Sequence, residues 1–479
     1  TIDSALTESI TMYGFIIRST AGSVIIDAPI VDVKYMNNRI YAANNVTIQD
    51  DITFDLAYGW GELYIYADYD QNGTGEITIA TGKSISGNSG NYLYLYNYHD
   101  WTITQDLVSR ITGISNPYFY ALTDSNIIIN DAITSSASVS LYAEGNITIN
   151  NTVQSSGDLR LAADNDSDNT GNIIWGGSGS ATMTAGGYLQ YQQANSITYS
   201  DVTAKITGGT TGDLYLRSTN GSVTIDQATT GRTSPIQLYA DNDINVNASI
   251  GTSSTAYLYA DNESNGTGSV LQADGTTITA GSNMYVYSSG ASTLSNITGY
   301  RLYLDKKGAN PTYTVYDNST ITLSYDSTSY GMYVATSVTL NGGNSTNIST
   351  AADWWIDGTF TPGTSTITLT TSATDVDIRL DSGTFYNLVI NGSGSWKMYT
   401  DNRVVSNAFT IQQGEFQKNG KNLTVNGLTT VSGGTYTNTA ATGDQTLNGG
   451  LTVSGGFFEA DSGNVDINGN VILSSGTLQ

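Results

Sequence analysis

A segment made of a strand, a short polar turn and a second strand recurs along this chain at intervals near 97 residues, and few folds accommodate such a period. IYAANNVTI (40–48), LYAEGNITI (141–149), LYADNDINV (238–246) and MYVATSVTL (332–340) share it, and FIIRSTAGSVIID at 15, FYALTDSNIIIND at 119 and LYLRSTNGSVTID at 214 form a second series with similar spacing. In each, aliphatic residues alternate with Tyr, Ser or Thr, the period of a half-buried strand. The super-repeat runs from about residue 15 to about 310, and in its third copy the strand openings Leu214, Leu238, Leu258, Met284 and Leu302 lie 18 to 26 residues apart. Four turns of a coil therefore make one super-repeat. Steps of that size suit one rung of a parallel β-helix, whose short strands stack on those of the next rung; a sandwich does not keep such a period.

From about residue 360 the rhythm is plainer: Ile367, Ile390, Ile411, Val431, Val453 and Leu473 follow one another at 20 to 23 residues. The expected fold is all-β, a parallel β-helix (β-solenoid) of about 20 rungs. It divides into a Tyr-rich solenoid over 1–350, carrying the four-rung super-repeat, and a short-rung solenoid over 351–479. The abundance of Gly (52) and the scarcity of Pro (5) agree with short strands joined by Gly, Asn and Ser turns, and give almost no support to helices.

Cysteine is absent, which excludes disulfides, thiolate metal sites and a thiol nucleophile. A formal charge of −25 repels nucleic acid, so no nucleic-acid partner is expected, whereas cations and neutral glycans are compatible with it. The sequence contains no apolar run long enough for a membrane span and no leader-like N-terminal segment. VILSSGTLQ stops inside the local repeat without a polar cap, so the chain or its assembly is expected to continue beyond Gln479.

Segments such as SGDLRLAADND, GDLYLRSTNGSVTID and LTVNGLTTVSGGTYT resemble the repeats of large secreted β-helical surface proteins of microbes, the filamentous-haemagglutinin and autotransporter-passenger class of adhesins. TFYNLVINGSG and LTVSGG are similar to short-rung repeats of very large secreted proteins. The resemblance covers nearly the whole chain and rests on repeat style. It implies a right-handed coil, secretion to the cell surface and an adhesive or structural role, and it supplies no functional residues. The Tyr content and the 97-residue super-repeat depart from the adhesin pattern.

The sharpest local signal is an acidic loop at equivalent places in three super-repeats. Asp68, Asp70 and Asn72 precede Gly73 in the first; Asp164, Asp166 and Asp168 precede Asn169 in the second; Asp261, Glu263 and Asn265 precede Gly266 in the third. Two readings fit. Alternating oxygen side chains followed by a turn residue are what Ca²⁺ requires, and the first loop matches the opening of an EF-hand loop, although its twelfth position is Ile79, Trp175 or Gln272 rather than Glu. Alternatively, Asx turns favour Asp and Asn at such a corner.

A second signal is tyrosine alternating with aliphatics, densest at Tyr92, Tyr94, Tyr96 and Tyr98 and repeated at Tyr257, Tyr259, Tyr285 and Tyr287. With Leu and Val inward, the tyrosines form an outward stripe, read as an intramolecular ladder, a surface packing against neighbouring subunits or a platform for sugar rings. The single histidine, His99, stands beside Asp100 without a triad, and the basic residues Arg18, Arg217 and Arg232 are scattered and placed near turns, so no enzymatic activity is expected. About fifteen N-x-S/T sequons, among them Asn45, Asn146, Asn220, Asn296 and Asn391, are candidate glycosylation sites, a number close to chance for this composition.

Together these readings describe an extracellular, cell-surface structural solenoid that forms or decorates a filament, sheath or coat, with self-association or other surface components as partners. A glycan-binding adhesin is the alternative, and a polysaccharide-active β-helix enzyme a weaker third.

Overall fold

The computed structural model describes residues 14–33, 35–54, 60–176, 181–207, 212–399, 402–438, 442–460 and 463–479. They form two compact units, Thr1–Val223 and Thr224–Gln479. Each is a parallel β-solenoid, and together the units contain about 20 turns.

In the first unit the inward aliphatics of successive rungs are in register. Ile65 pairs with Leu95, Leu95 with Phe119, Phe119 with Leu141 and Leu141 with Leu161, through rungs of 30, 24, 22 and 20 residues that together span one super-repeat. All five residues are fully buried. A typical rung has three short strands: Val139–Ala143, Ile147–Ile149 and Val153–Ser155. Their neighbours one rung on, Leu159–Ala162, Ile173–Trp175 and Met183–Ala185, pair with them in parallel. Because backbone N–H and C=O groups are satisfied by the rungs above and below, no rung closes its own hydrogen-bond pattern, and stability is a nearest-neighbour property.

Corners of the coil are joined by asparagine. The Asn146 amide donates to Asn126 Oδ1 at 3.1 Å, and the Asn468 and Asn448 amides donate to Asn448 and Asn426 at 2.8 and 3.0 Å. Such ladders form only where identical amides recur on successive rungs. The sequon residue Asn146 is thus already part of one.

The second unit contains longer strands, Thr277–Ser288, Asn296–Lys306, Thr320–Val334 and Asn347–Thr361, that run past a corner of the coil. The boundary expected at residues 350 and 351 lies inside the last of these strands, whereas the compact units divide after Val223. Beyond it the interior becomes aromatic: Trp396, Phe416, Tyr436 and Phe458 occupy consecutive rungs of one inward column, each at most 1% exposed.

Among the described residues two short helices depart from the all-strand expectation, both in the first unit: α1, Gln105–Ser109, and α2, Tyr199–Thr203. Thr104 caps α1 by accepting from the Leu107 N–H at 3.2 Å. Each helix buries two side chains, Leu107 and Val108 in one and Tyr199 and Val202 in the other, and so covers the coil where a third strand would begin.

Candidate functional site: an aromatic face and three acidic loops

Strand pleating sends the residues between the core aliphatics outward, and parallel in-register stacking places like on like. In the first unit one outward column runs Arg18, Tyr41, Tyr66, Tyr96, Tyr120, Tyr142, and a second runs Arg39, Tyr64, Tyr94, Tyr118, Ser140, Arg160. Ring centroids in the first column are 4.6, 4.5, 4.7 and 4.8 Å apart with planes within 14° of parallel. Those separations are the strand spacing itself. The second unit repeats the device in the column Gln237, Tyr257, Tyr285, Tyr303, Tyr333, Trp355, Arg379.

Arginines end these columns. Arg39 lies 5.5 Å from the Tyr64 ring centre, Arg18 5.0 Å from that of Tyr69 and 6.0 Å from that of Tyr41, and Arg379 4.6 Å from that of Trp355. At the arginine end of each column the last ring is covered by a cation, whereas Tyr142 and Tyr257 end their columns beside Ala162 and Gln237. Arg18 and Arg217 are the penultimate residues of the strands Ile16–Ser19 and Leu214–Ser218, and Arg232 closes Thr229–Arg232, so each stands at a strand end beside a bend. The ring faces are therefore turned on each other, and ring edges and hydroxyls point outward. Burial, reinforced by neighbouring phenols, raises the pKa of Tyr94 to about 12; burial raises Tyr142 to about 12 and also raises Tyr66, Tyr96 and Tyr120. Intramolecular stacking is thus the arrangement found, and sugar stacking on these ring faces is blocked along each column.

The three acidic loops lie in the long rungs and share one backbone conformation. Left-handed φ occurs at Asp68, Gln71 and Gly73, at Asp164, Ser167 and Asn169, and at Asp261, Ser264 and Gly266. The leading aspartate of each loop is fully buried and holds the turn. Asp68 accepts from the N–H groups of Asn72 at 3.0 Å and Gly73 at 3.0 Å; Asp261 accepts from Asn265 at 2.6 Å and Gly266 at 3.0 Å; Asp164 accepts from Asn169 at 3.0 Å. The Thr219 hydroxyl donates to Asp164 from two rungs on, and the Ser289 hydroxyl to Asp261 from the next rung. The closing glycine is demanded by this geometry: a Cβ on Gly75, Gly171 or Gly268 would collide with the amide of Asp68, Asp164 or Asp261 and with a carbonyl of the preceding rung.

The remaining predicted ligands point to solvent. Asp70, Asn72, Asp166, Asp168, Glu263 and Asn265 are exposed. Asn72 donates to Asp70 at 3.0 Å, and Asn265 donates to Asp241, from the preceding rung, at 3.1 Å. In the second loop Asp166 and Asp168 meet Asp124, with carboxylate oxygens within 4.8 Å of one another. Among the described residues this is the one group of three acidic side chains so close. Burial raises the pKa of Asp164, and the Thr170 hydroxyl lowers that of Asp168. The sequence reading had no means of including Asp124 and Asp241, which arrive from other rungs.

His99 does not engage its neighbour in sequence. Its Nδ1 lies 3.3 Å from Asp68 Oδ2, without the alignment of a hydrogen bond, while Asp100 accepts from the Asn126 N–H and side-chain amide at 2.9 and 2.7 Å.

No helix among the described residues is long and apolar enough to cross a membrane. No family model, curated protein or solved structure matches the chain.

Proposed function

We propose that the protein is an extracellular, cell-surface structural solenoid whose tyrosine-faced sheet serves as a rigid contact surface, building a filament, sheath or coat with other surface components or with further copies of itself. One observation carries the reading. The outward columns are as strictly registered as the core, although their rings are half-exposed and add nothing to the apolar interior. Stacked rings give up side-chain freedom at folding, so a partner meeting this face finds its hydroxyls and ring edges already ordered. The repeat style shared with secreted β-helical surface proteins supports the location, and a catalytic role is not part of the proposal.

Negative-stain imaging and light scattering of the purified chain test it. Ordered filaments or sheets that are lost when Tyr94, Tyr96, Tyr118 and Tyr120 are replaced together by Ser are the expected result. Monodisperse particles at all concentrations, unchanged by that replacement, would refute self-assembly through this face.

Calcium belongs to the same proposal as a stabilising ion. The Asp124, Asp166 and Asp168 group supports it, since an ion there would join loops of different rungs and offset their mutual repulsion.

A further inference from the structure

The two short helices each roof a cleft, and the two clefts are copies of one another displaced by a super-repeat. The first, about 220 Å³, is lined by Ile77, Ile79, Thr102 and the helix residue Asp106. The second, about 370 Å³, is lined by Ile173, Trp175, Thr198 and the helix residue Asp201, the same places 95 or 96 residues on. Their chemistry differs in one respect. In the first cleft Asp106 is engaged by Arg110, four residues later, through Nε at 2.9 Å and Nη2 at 2.7 Å, so both charges are satisfied within the helix. In the second, Asp201 and Lys205 have the same spacing but form no ion pair. Lys205 instead lies 5.5 Å from the centre of the Trp175 ring, and among the described residues neither charge has a charged partner.

The second cleft is therefore open where the first is closed. It offers an indole wall, with Trp175 Nε1 held 3.4 Å from the buried Tyr191 hydroxyl. Around that wall stand the Asp201 carboxylate, the Lys205 ammonium that rests on the indole, the Thr198 hydroxyl and the Gln193 amide, which donates to the Asn195 and Ser196 carbonyls. An aromatic wall ringed by directional donors and acceptors of both kinds matches a ring whose edge carries alternating hydroxyls and whose faces carry C–H groups. Asp201 and Lys205 together leave the rim without net charge, which matches an uncharged sugar.

We infer that the cleft under α2 is a binding site for one pyranose unit of a neutral or N-acetylated oligosaccharide. Trp175 supplies the apolar wall, Asp201 accepts from ring hydroxyls and Lys205 donates to them. The site goes beyond the scaffold reading and does not rest on it: it uses neither the tyrosine columns nor self-association.

The test is an array of immobilised neutral, N-acetylated and uronate oligosaccharides probed with the full chain, followed by titration of the strongest hit. Binding to a neutral or N-acetylated member is expected, weakened at least about tenfold by Trp175→Ala and by Asp201→Asn, and unaffected by Asp106→Asn in the sister cleft. Asp201 is exposed, so the Asp201→Asn variant keeps the test valid should Trp175→Ala fail to fold, with far-UV circular dichroism as the check. Absence of any hit at millimolar sugar, preference for uronates, or a hit that Asp201→Asn and Trp175→Ala leave intact would overturn the assignment. None of these outcomes bears on filament formation, which imaging decides separately.

Discussion

Tyr96 is the residue on which the energetics of the aromatic columns are best measured. It stacks on Tyr66 at 4.5 Å and on Tyr120 at 4.7 Å, with planes within 12° of parallel in both pairs. Two such pairs contribute about 1–3 kcal/mol together beyond area burial. Half-burial of the side chain removes roughly 100 Å² from water, worth about 2.5 kcal/mol. Tyr96→Ala should therefore cost about 3.5–5.5 kcal/mol, while Tyr96→Phe, which keeps ring and stacks, should cost less than about 1 kcal/mol. A cycle of Tyr66→Ala and Tyr96→Ala isolates one pair and should show a coupling of about 0.5–1.5 kcal/mol. Urea unfolding followed by two probes is the assay, because a stacked array need not unfold in one step. A Tyr96→Ala cost below about 1 kcal/mol, or a coupling of zero, would show that the columns merely decorate the sheet and do not stabilise it.

Three further outcomes follow from the geometry. Phenols whose pKa is raised by burial keep their protons in the folded chain longer than in the unfolded one, so their contribution to stability is complete below about pH 10 and is lost as pH rises toward 12; tyrosinate absorbance of the folded protein should lag that of the denatured protein over this window. Burial raises the Asp353 carboxyl to about 6, so it costs stability as pH rises through that value; Asp353→Asn, which can still accept from the Asp377 N–H, should raise the melting temperature at pH 8 and leave it unchanged at pH 3, and equal effects at both would refute the assignment. Asp261→Ala should cost about 3 kcal/mol or more by stranding the Asn265 and Gly266 amides, with Glu263→Gln near neutral; separately, excess EGTA should lower the melting temperature unless Asp166 and Asp168 are replaced by Asn, and a melt indifferent to Ca²⁺ leaves the loops as turns alone.

Much of the architecture was legible in the sequence because a solenoid's constraints are local and repeated. Alternation at Leu63 to Tyr66 or Val139 to Ala143 specifies a strand with one buried face, and the 97-residue period specifies how many turns pass before the pattern recurs. The leading aspartates of the acidic loops were visible for the same reason, since each copy needs a left-handed residue there, and Gly75, Gly171 and Gly268 because each copy brings two stretches of backbone together. The helices α1 and α2 escaped because five residues are too few for a helical period, although Thr104 and Asp106 carry a faint capping signal.

What meets across rungs was decided by tertiary structure. Arg39 lies on Tyr64, His99 faces Asp68 rather than Asp100, Asp124 joins Asp166 and Asp168, and Trp175, Tyr191 and Lys205 line one cleft, through separations of 14 to 44 residues. Those separations depend on the length of each intervening rung, which varies from 20 to 30 residues in the first unit. A single added residue in a turn changes none of the alternation that writes the strands, yet it decides which side chain comes to rest on which.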